Sequence, residues 1–539
     1  MTAGSIRGVT SIEGHGGDQI VATLRTHGLE QLYTLIGGHI FPVLDAAERH
    51  GLRLIDVRHE QAAAFAAEAH GKLARMPGVA VTDAGPGALN TLNAIASARS
   101  NGAPMLLIAG HPPTGTAGMG MLNETSQRQV LEPLVKEEIA VADAGSIATE
   151  TARALRLAGT RHRGPVYLDV PMDVLFGQAS GEVAPAAPSE DAEPAGDLAG
   201  AVRLLAEAER PVVLLGSDVW ADSAEKAARA LVEQLRVPAF MNGMGRGVLP
   251  ADHALAFSGA RKHAFTRADV VVIVGTPLDF RIGFGHFGEA KVIHLADHPS
   301  GLAAAAAVGV AGPLTTLLEA LSDAGARDHD AWIAELRKVE DQRRRAFDAE
   351  LRSDATPIHP VRVYGELVPR LARDGVVIAD GGDFASYAGR FVQVFEPGGW
   401  LDPGPYGCLG TSAGYALAAG TLFRGRQIVV LLGDGAAGFS LADWDTLVRH
   451  EIDVTLVCGN NGVWGLEKAP MQGLFGRDVI ADLAPGTRYD QVMEAFGGRG
   501  SLVTEPGEIA PALERALATP GPSLVNVLTD PAVPYPRGA

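Results

Sequence analysis

Cysteine is nearly absent: Cys408 and Cys458 are the only two in 539 residues. Two thiols in segments that read as buried provide no disulfide framework and fit a reducing compartment. Positive charge is in deficit, with 45 Lys and Arg against 63 Asp and Glu and a formal net charge of −18. Such a surface repels phosphate backbones, so nucleic acid is not an expected partner. Long apolar runs are missing too. The longest, near Gly301–Leu314, is Ala-rich, is interrupted by Gly309, Gly312 and Pro313, and is too short to span a bilayer. The first residues, Met1 to Arg7, lack the charged start and apolar core of a secretory signal. The expectation is a cytoplasmic protein that does not use a membrane. No stretch has the composition of a disordered acidic tail; with 47% hydrophobic and 20% charged residues and 66 Gly, the chain reads as globular and rich in turns.

Short apolar runs alternate with longer helical patterns, the signature of α/β architecture with parallel sheets flanked by helices. Two breaks divide the chain. Gly177–Asp197 has no apolar periodicity and is dense in Ala, Pro, Ser and acid, as a linker should be. Leu351–Pro360 follows a charged helical segment, Trp332–Arg352. Three open parallel-sheet domains are expected: 1–178, a linker at 179–197, then 198–345 and 346–539.

The last domain contains the strongest local pattern. Ile428–Leu432 leads into Gly433-Asp434-Gly435-Ala436-Ala437-Gly438, and Val454–Cys458 leads into Gly459-Asn460-Asn461-Gly462. Both polar clusters fall at carboxyl ends of strands, where open α/β sheets bind ligands. Glycines let backbone N–H groups close on an anion, while Asp434 and the Asn461 amide oxygen are hard donors suited to magnesium. The pair reads as a site for a magnesium diphosphate.

The first domain holds a second cluster. Leu52–Ile55 reads as a strand, and Glu60 starts an Ala-rich helix. On position alone Glu60 is a carboxylate favoured by the helix dipole, an effect of about 0.3–1 kcal/mol. Val79–Asp83 is the next strand, and Ala84-Gly85-Pro86-Gly87 a tight turn after it.

These pieces, in this order and across two domains, resemble the thiamine diphosphate (ThDP) enzymes of the acetolactate synthase type over nearly the whole chain. The resemblance implies the ThDP-binding fold, with pyrimidine, middle and diphosphate domains. It implies that Glu60 is the catalytic acid that activates the cofactor through its pyrimidine ring, and that Asp434, Asn461 and the Val463 carbonyl bind Mg2+. Gly433, Gly435, Ala436, Trp464 and Gly465 would line the diphosphate. Tyr406-Gly407-Cys408-Leu409 aligns to put Leu409 where the family wedges a bulky aliphatic group, usually Met, between the cofactor rings, and the Gly407 carbonyl where it meets the aminopyrimidine. In the family the glutamate comes from one subunit and the diphosphate site from another, so a homodimer or homotetramer is implied.

The implied reaction is decarboxylation of a 2-keto acid, pyruvate-like, with carboligation of the fragment to a second carbonyl compound. Thr276 to Arg281 and Trp464 to Lys468 resemble acetolactate synthase-like large subunits of actinobacterial type. Gln61-Ala-Ala, Gly71-Lys-Leu and Trp400 to Gly404 are similar to the oxalyl-CoA decarboxylase and 2-hydroxyacyl-CoA lyase branch, so a C–C lyase stays open, as does a non-catalytic ThDP-binding relative. The chain departs from the synthases at Asn123, where they carry Gln, at His39 beside Gly38, where they often have Ala, and at His111, which replaces a Gln. Gly38, His39, His111 and Asn123 are therefore the candidate substrate-pocket residues. The middle domain binds FAD in some relatives, a nucleotide in others and nothing in many. Met244-Gly245-Arg246-Gly247 and Ser258-Gly259-Ala260-Arg261 could take a nucleotide phosphate or could be plain loops.

Overall fold

A computed structural model describes residues 10–183 and 193–536. It contains three six-stranded sheets flanked by helices. The first runs Arg53–Asp56, Gln31–Thr34, Gly78–Thr82, Met105–His111, Pro165–Pro171, Glu138–Ala140 from edge to edge, all parallel. The third runs Trp400–Leu401, Val376–Ala379, Ile428–Gly433, Thr455–Asn460, Ser523–Leu528, Arg499–Val503, again all parallel. Numbered by position in the chain, both sheets have the strand order 2-1-3-4-6-5. The order reverses between the first and third strands, and this switch point opens a crevice beyond their carboxyl ends.

The middle sheet follows the order Ala239–Met241, Pro211–Leu215, Val270–Val274, Lys291–Ala296, Val308–Ala311, with Ala195–Gly196 added antiparallel at one edge. Its strands are apolar on both faces because helices cover both. Val213, Leu215, Val272 and Val274 enter one core, and Val212, Leu214, Val271 and Ile273 the other.

Part of the segment that reads as a linker is paired. Gln178–Val183 lies antiparallel to Thr10–His15, and Ala195–Gly196 joins the middle sheet; residues 184–192 of that segment lie outside the described residues. These short edge strands gain order from backbone hydrogen bonds, so no hydrophobic alternation marks them in the sequence.

Contacts divide the chain into two units. One gathers the first sheet with residues 406–422 and 440–451; the other holds the middle and third sheets. Within the first unit the helix Glu60–Ala74 packs on the helix Ser412–Leu422. A Cβ on Gly414 would come within 2.7 Å of the Phe65 Cβ and 2.8 Å of the Ala62 carbonyl, so glycine there permits the close crossing. No helix among the described residues is long and apolar enough to cross a membrane.

Candidate active site

The crevice of the first sheet is built by the loops after Gln31–Thr34 and Gly78–Thr82. Glu60 is the first residue of its helix, whose entry is fixed by the His59 side chain accepting the Gln61 N–H at 3.1 Å. The Asn90 amide donates to Glu60 Oε2 at 2.9 Å. A Cβ placed on Gly87 would lie 3.6 Å from Glu60 Oε1 and 3.2 Å from the Asp83 Cβ. Glu60 and Asp83 thus flank one glycine of the Gly85-Pro86-Gly87 turn.

Asp83 is the residue that sequence reasoning passed over as the end of a strand. Its Oδ1 accepts the backbone N–H and the ring Nδ1–H of His39, each at 2.9 Å, and its Oδ2 accepts the Asn123 amide at 3.1 Å. The structure therefore joins two of the four pocket candidates through a carboxylate, with Gly38 next to His39 in the same 3-10 turn. Asn123 adopts φ +61°, a left-handed conformation that Asn tolerates better than most residues. Asn123 also lies against the turn, since a Cβ on Gly85 would fall 2.4 Å from its carbonyl oxygen. Beneath the turn, buried Gln127 accepts the Gly85 N–H at 2.7 Å and donates to the Gly110 carbonyl at 2.8 Å. His111 stands apart. Its Nδ1 donates to the Pro112 carbonyl at 2.9 Å, and among the described residues no hydrogen bond joins it to His39, Asp83 or Asn123.

Also in this unit, Gly407 has φ +69° and Leu409 is half-buried. Both precede the helix Ser412–Leu422, the one packed on the Glu60 helix.

The third sheet has its own crevice between Val376–Ala379 and Ile428–Gly433. Asp434 follows the second of these strands, is buried, and accepts the Gly462 N–H on Oδ2 at 2.8 Å. Burial pushes its carboxyl up to about 6, against the Gly462 bond and with a further push from the charge of Asp383. Asp383 starts the helix Asp383–Phe391, and burial raises its carboxyl as well. Its Oδ2 accepts the Asn461 amide at 2.8 Å, while Asn461 Oδ1 accepts the Val463 N–H at 3.1 Å. A Cβ on Gly465 would lie 2.0 Å from Asp383 Oδ2, so only glycine admits this carboxylate. The Asn-Asn pair divides its work: buried Asn460 donates to the Thr487 carbonyl and to Asn526 Oδ1 inside the protein, leaving Asn461 in the crevice. Gly435 and Trp464 are in close approach, a Cβ on Gly435 falling 2.5 Å from the indole ring. Ala436 is buried behind them. The backbone bridge from Val463 to Asp482 uses the Trp464 N–H and the Gly462 carbonyl, the groups on either side of the Val463 carbonyl.

The buried Asp434 carboxylate, raised by burial and by the charge of half-buried Asp383, and the Asn461 amide oxygen are oxygen donors that suit a hard divalent cation, while backbone N–H groups suit an anion. The residues fit a magnesium-bound diphosphate.

The chain matches family models at three places. Residues 14–130 match the thiamine pyrophosphate enzyme N-terminal TPP binding domain, 198–321 the central domain and 380–527 the C-terminal TPP binding domain. The chain is 48% identical over 535 residues to the acetolactate synthase large subunit IlvG of Mycobacterium tuberculosis, with 97% of each chain covered. The chain belongs to the thiamine pyrophosphate enzymes. A probable acetolactate synthase of Mycobacterium bovis matches equally, and the 2-hydroxyacyl-CoA lyase 2 of Homo sapiens is 32% identical over 546 residues, covering 92% of this chain and 86% of the other.

The two TPP binding domains of this thiamine pyrophosphate enzyme are the two that carry the crevices. Its central domain offers no comparable cradle at the glycine turns. Glu340, fully buried, accepts the Ser258 N–H at 3.1 Å, the Ser258 hydroxyl at 3.0 Å and the Ala260 N–H at 2.9 Å. Burial pushes this carboxyl up, but the Ala260, Ser258 and Gly259 N–H groups together hold it below its ordinary value. The donors that a phosphate would need are already bound to an internal anion. In the other turn Met244 N–H is held by Ser217 Oγ, and the Arg246 guanidinium donates to the Gly389 carbonyl and lies 4.5 Å over the Trp400 ring. The amides of both turns are therefore engaged internally, while the Arg246, Arg261 and Arg281 side chains line a cavity of about 1130 Å³; no step is assigned to FAD or a nucleotide.

Proposed function

We propose that this thiamine pyrophosphate enzyme uses Mg2+ and ThDP to decarboxylate a pyruvate-like 2-keto acid and to join the fragment to a second carbonyl compound. The observation that carries this reading is the 48% identity to acetolactate synthases over 97% of both chains. The cofactor supplies, when bound, the carbon nucleophile and electron sink that let a 2-keto acid lose carbon dioxide.

The rest is done by the chain. Asp434, Asn461 and the Val463 carbonyl would hold Mg2+, and Gly433, Gly435, Ala436, Trp464 and Gly465 would enclose the diphosphate. Glu60 would exchange a proton with the pyrimidine ring. Because Asn90 occupies Oε2, Oε1 is the oxygen left for that exchange. Leu409 would press between the cofactor rings, with the Gly407 carbonyl accepting from the aminopyrimidine. Gly38, His39, Asn123 and His111 would form the substrate side. The working unit is a homodimer or homotetramer, with Glu60 and the magnesium site of one cofactor supplied by different subunits. The likeness to bacterial acetolactate synthases supports a cytoplasmic enzyme.

Incubation of the Mg2+- and ThDP-loaded protein with pyruvate should release carbon dioxide and form acetolactate, detected as acetoin after acid treatment. Carbon dioxide without a coupled product rejects carboligation for that substrate. The likeness to 2-hydroxyacyl-CoA lyases over 92% of the chain favours a second reading, C–C cleavage of a 2-hydroxyacyl-CoA, which release of formyl-CoA and an aldehyde would establish instead.

A further inference from the structure

We propose that Asp83 is the positioning residue of His39, and that His39 Nε2 is the proton-exchanging atom on the substrate side of the Glu60 crevice. The inference rests on the proposed carboligation for its role and on geometry alone for its arrangement.

The carboxylate of Asp83 has no hydrogen-bonding hydrogen of its own, so the His39 nitrogen it meets at 2.9 Å must donate. The second bond to Oδ1, from the backbone N–H of His39 itself, fixes the ring's attachment point relative to the carboxylate. The Asn123 amide on Oδ2 prevents the carboxylate from rotating. His39 is thereby held as the Nδ1–H tautomer, with Nε2 as the ring atom that has no hydrogen-bond partner among the described residues. Orientation of an imidazole by a carboxylate at one nitrogen leaves the other prepared to take or give a proton. The location is functional: Asp83 and Glu60 flank Gly87, at the switch-point crevice of the first sheet.

The proton balance is simple. Nε2, unprotonated at rest, takes a proton from solvent water to give the imidazolium. When a C–C bond forms to the acceptor carbonyl carbon, the carbonyl oxygen takes that Nε2 proton; the Nδ1 proton remains shared with Asp83, and the resting neutral imidazole returns. In the cleavage direction Nε2 accepts the hydroxyl proton as the carbonyl is restored.

Two measurements test this. The first needs no substrate: nitrogen-15 NMR of the full chain labelled at histidine, with His39→Gln assigning the resonance. A protonated Nδ1 and unprotonated Nε2 in the wild type, with tautomer exchange in Asp83→Ala, supports the proposal; a protonated Nε2 beside an unprotonated Nδ1 overturns it. The second uses the 2-keto acid giving most carbon dioxide in a screen. His39→Gln should lower kcat/KM for the acceptor by about 10²–10⁴-fold, with ThDP affinity within about two-fold of wild type. Asp83→Asn should lower acceptor kcat/KM alone but add nothing in the His39→Gln background. An equal further loss in that background, or parallel loss of ThDP binding, overturns the assignment. If no 2-keto acid releases carbon dioxide, the proposed function falls and the tautomer alone decides the arrangement.

Discussion

The Asn461 amide nitrogen donates to Asp383 Oδ2 at 2.8 Å, and its oxygen accepts the Val463 N–H at 3.1 Å. The charged acceptor at the nitrogen end fixes which end of the amide is oxygen, a choice that an amide side chain cannot make alone, and leaves that oxygen for the cation of the proposed site. Asp383→Asn removes the acceptor's charge and lets the Asn461 amide flip. Magnesium affinity, measured by calorimetry with ThDP present, should weaken about 10–100-fold, the usual cost of losing a partner behind a metal ligand. Asp434→Asn should weaken it further.

Glu60→Gln keeps the shape of the side chain and its bond to Asn90 while removing the exchangeable proton. Turnover should fall by about 10²–10⁴-fold, with ThDP still bound. Tryptophan fluorescence titration with ThDP and a carbon dioxide assay separate the two quantities. Unchanged turnover with cofactor bound would show that the assigned activation is wrong. Mixing chains of Glu60→Gln with chains of Asp434→Asn should restore part of the activity if different subunits supply these residues.

Glu340→Ala leaves the Ser258 and Ala260 N–H groups and the Ser258 hydroxyl without their buried anion. Stability should fall by about 3 kcal/mol, the scale of unpaired buried polar groups and broken charge pairs, visible as a lower urea midpoint with an unchanged slope. A yellow purified protein with a flavin spectrum, or ADP binding, lost on substitution of Arg261 would place a nucleotide in the cavity that Arg246, Arg261 and Arg281 line; a colourless protein that binds no ADP would leave these turns as plain loops.

Burial lowers the His70 imidazole to about 4 from its ordinary 6.5. The unfolded chain therefore takes up this proton before the folded chain does. The contribution is fully present above pH 6.5 and is lost as pH falls toward 4. The full effect is about 3 kcal/mol at 1.36 kcal/mol per pKa unit. Urea titrations at pH 7 and pH 5 should show less difference in His70→Gln than in wild type.

The strands of the two crevices were legible because Val, Ile and Leu runs ending in Gly-Asp-Gly, Asn-Asn and Gly-Pro-Gly carry both period and punctuation. Asp434 and Asn461 were legible as oxygen donors at strand ends, whereas Glu60, at a helix start, was singled out only by the family resemblance. Asp83 and Asp383 were not. Each is one acidic residue near a strand's end, and its meaning depends on the neighbour that the 2-1-3 strand order brings beside it, a long-range fact. At the Ser258–Arg261 turn the sequence left two readings open, a phosphate site or a plain loop, because the anion its amides hold is Glu340, about eighty positions later, which only the fold brings onto them.

The shared order 2-1-3-4-6-5 gives the first and third sheets a crevice at the same switch point, yet the two are lined differently, one by Glu60, His39 and Asp83, the other by Asp383, Asp434 and Asn461. The same backbone topology thus serves as a neutral frame, and a substitution in one crevice finds no equivalent side chain in the other to replace it.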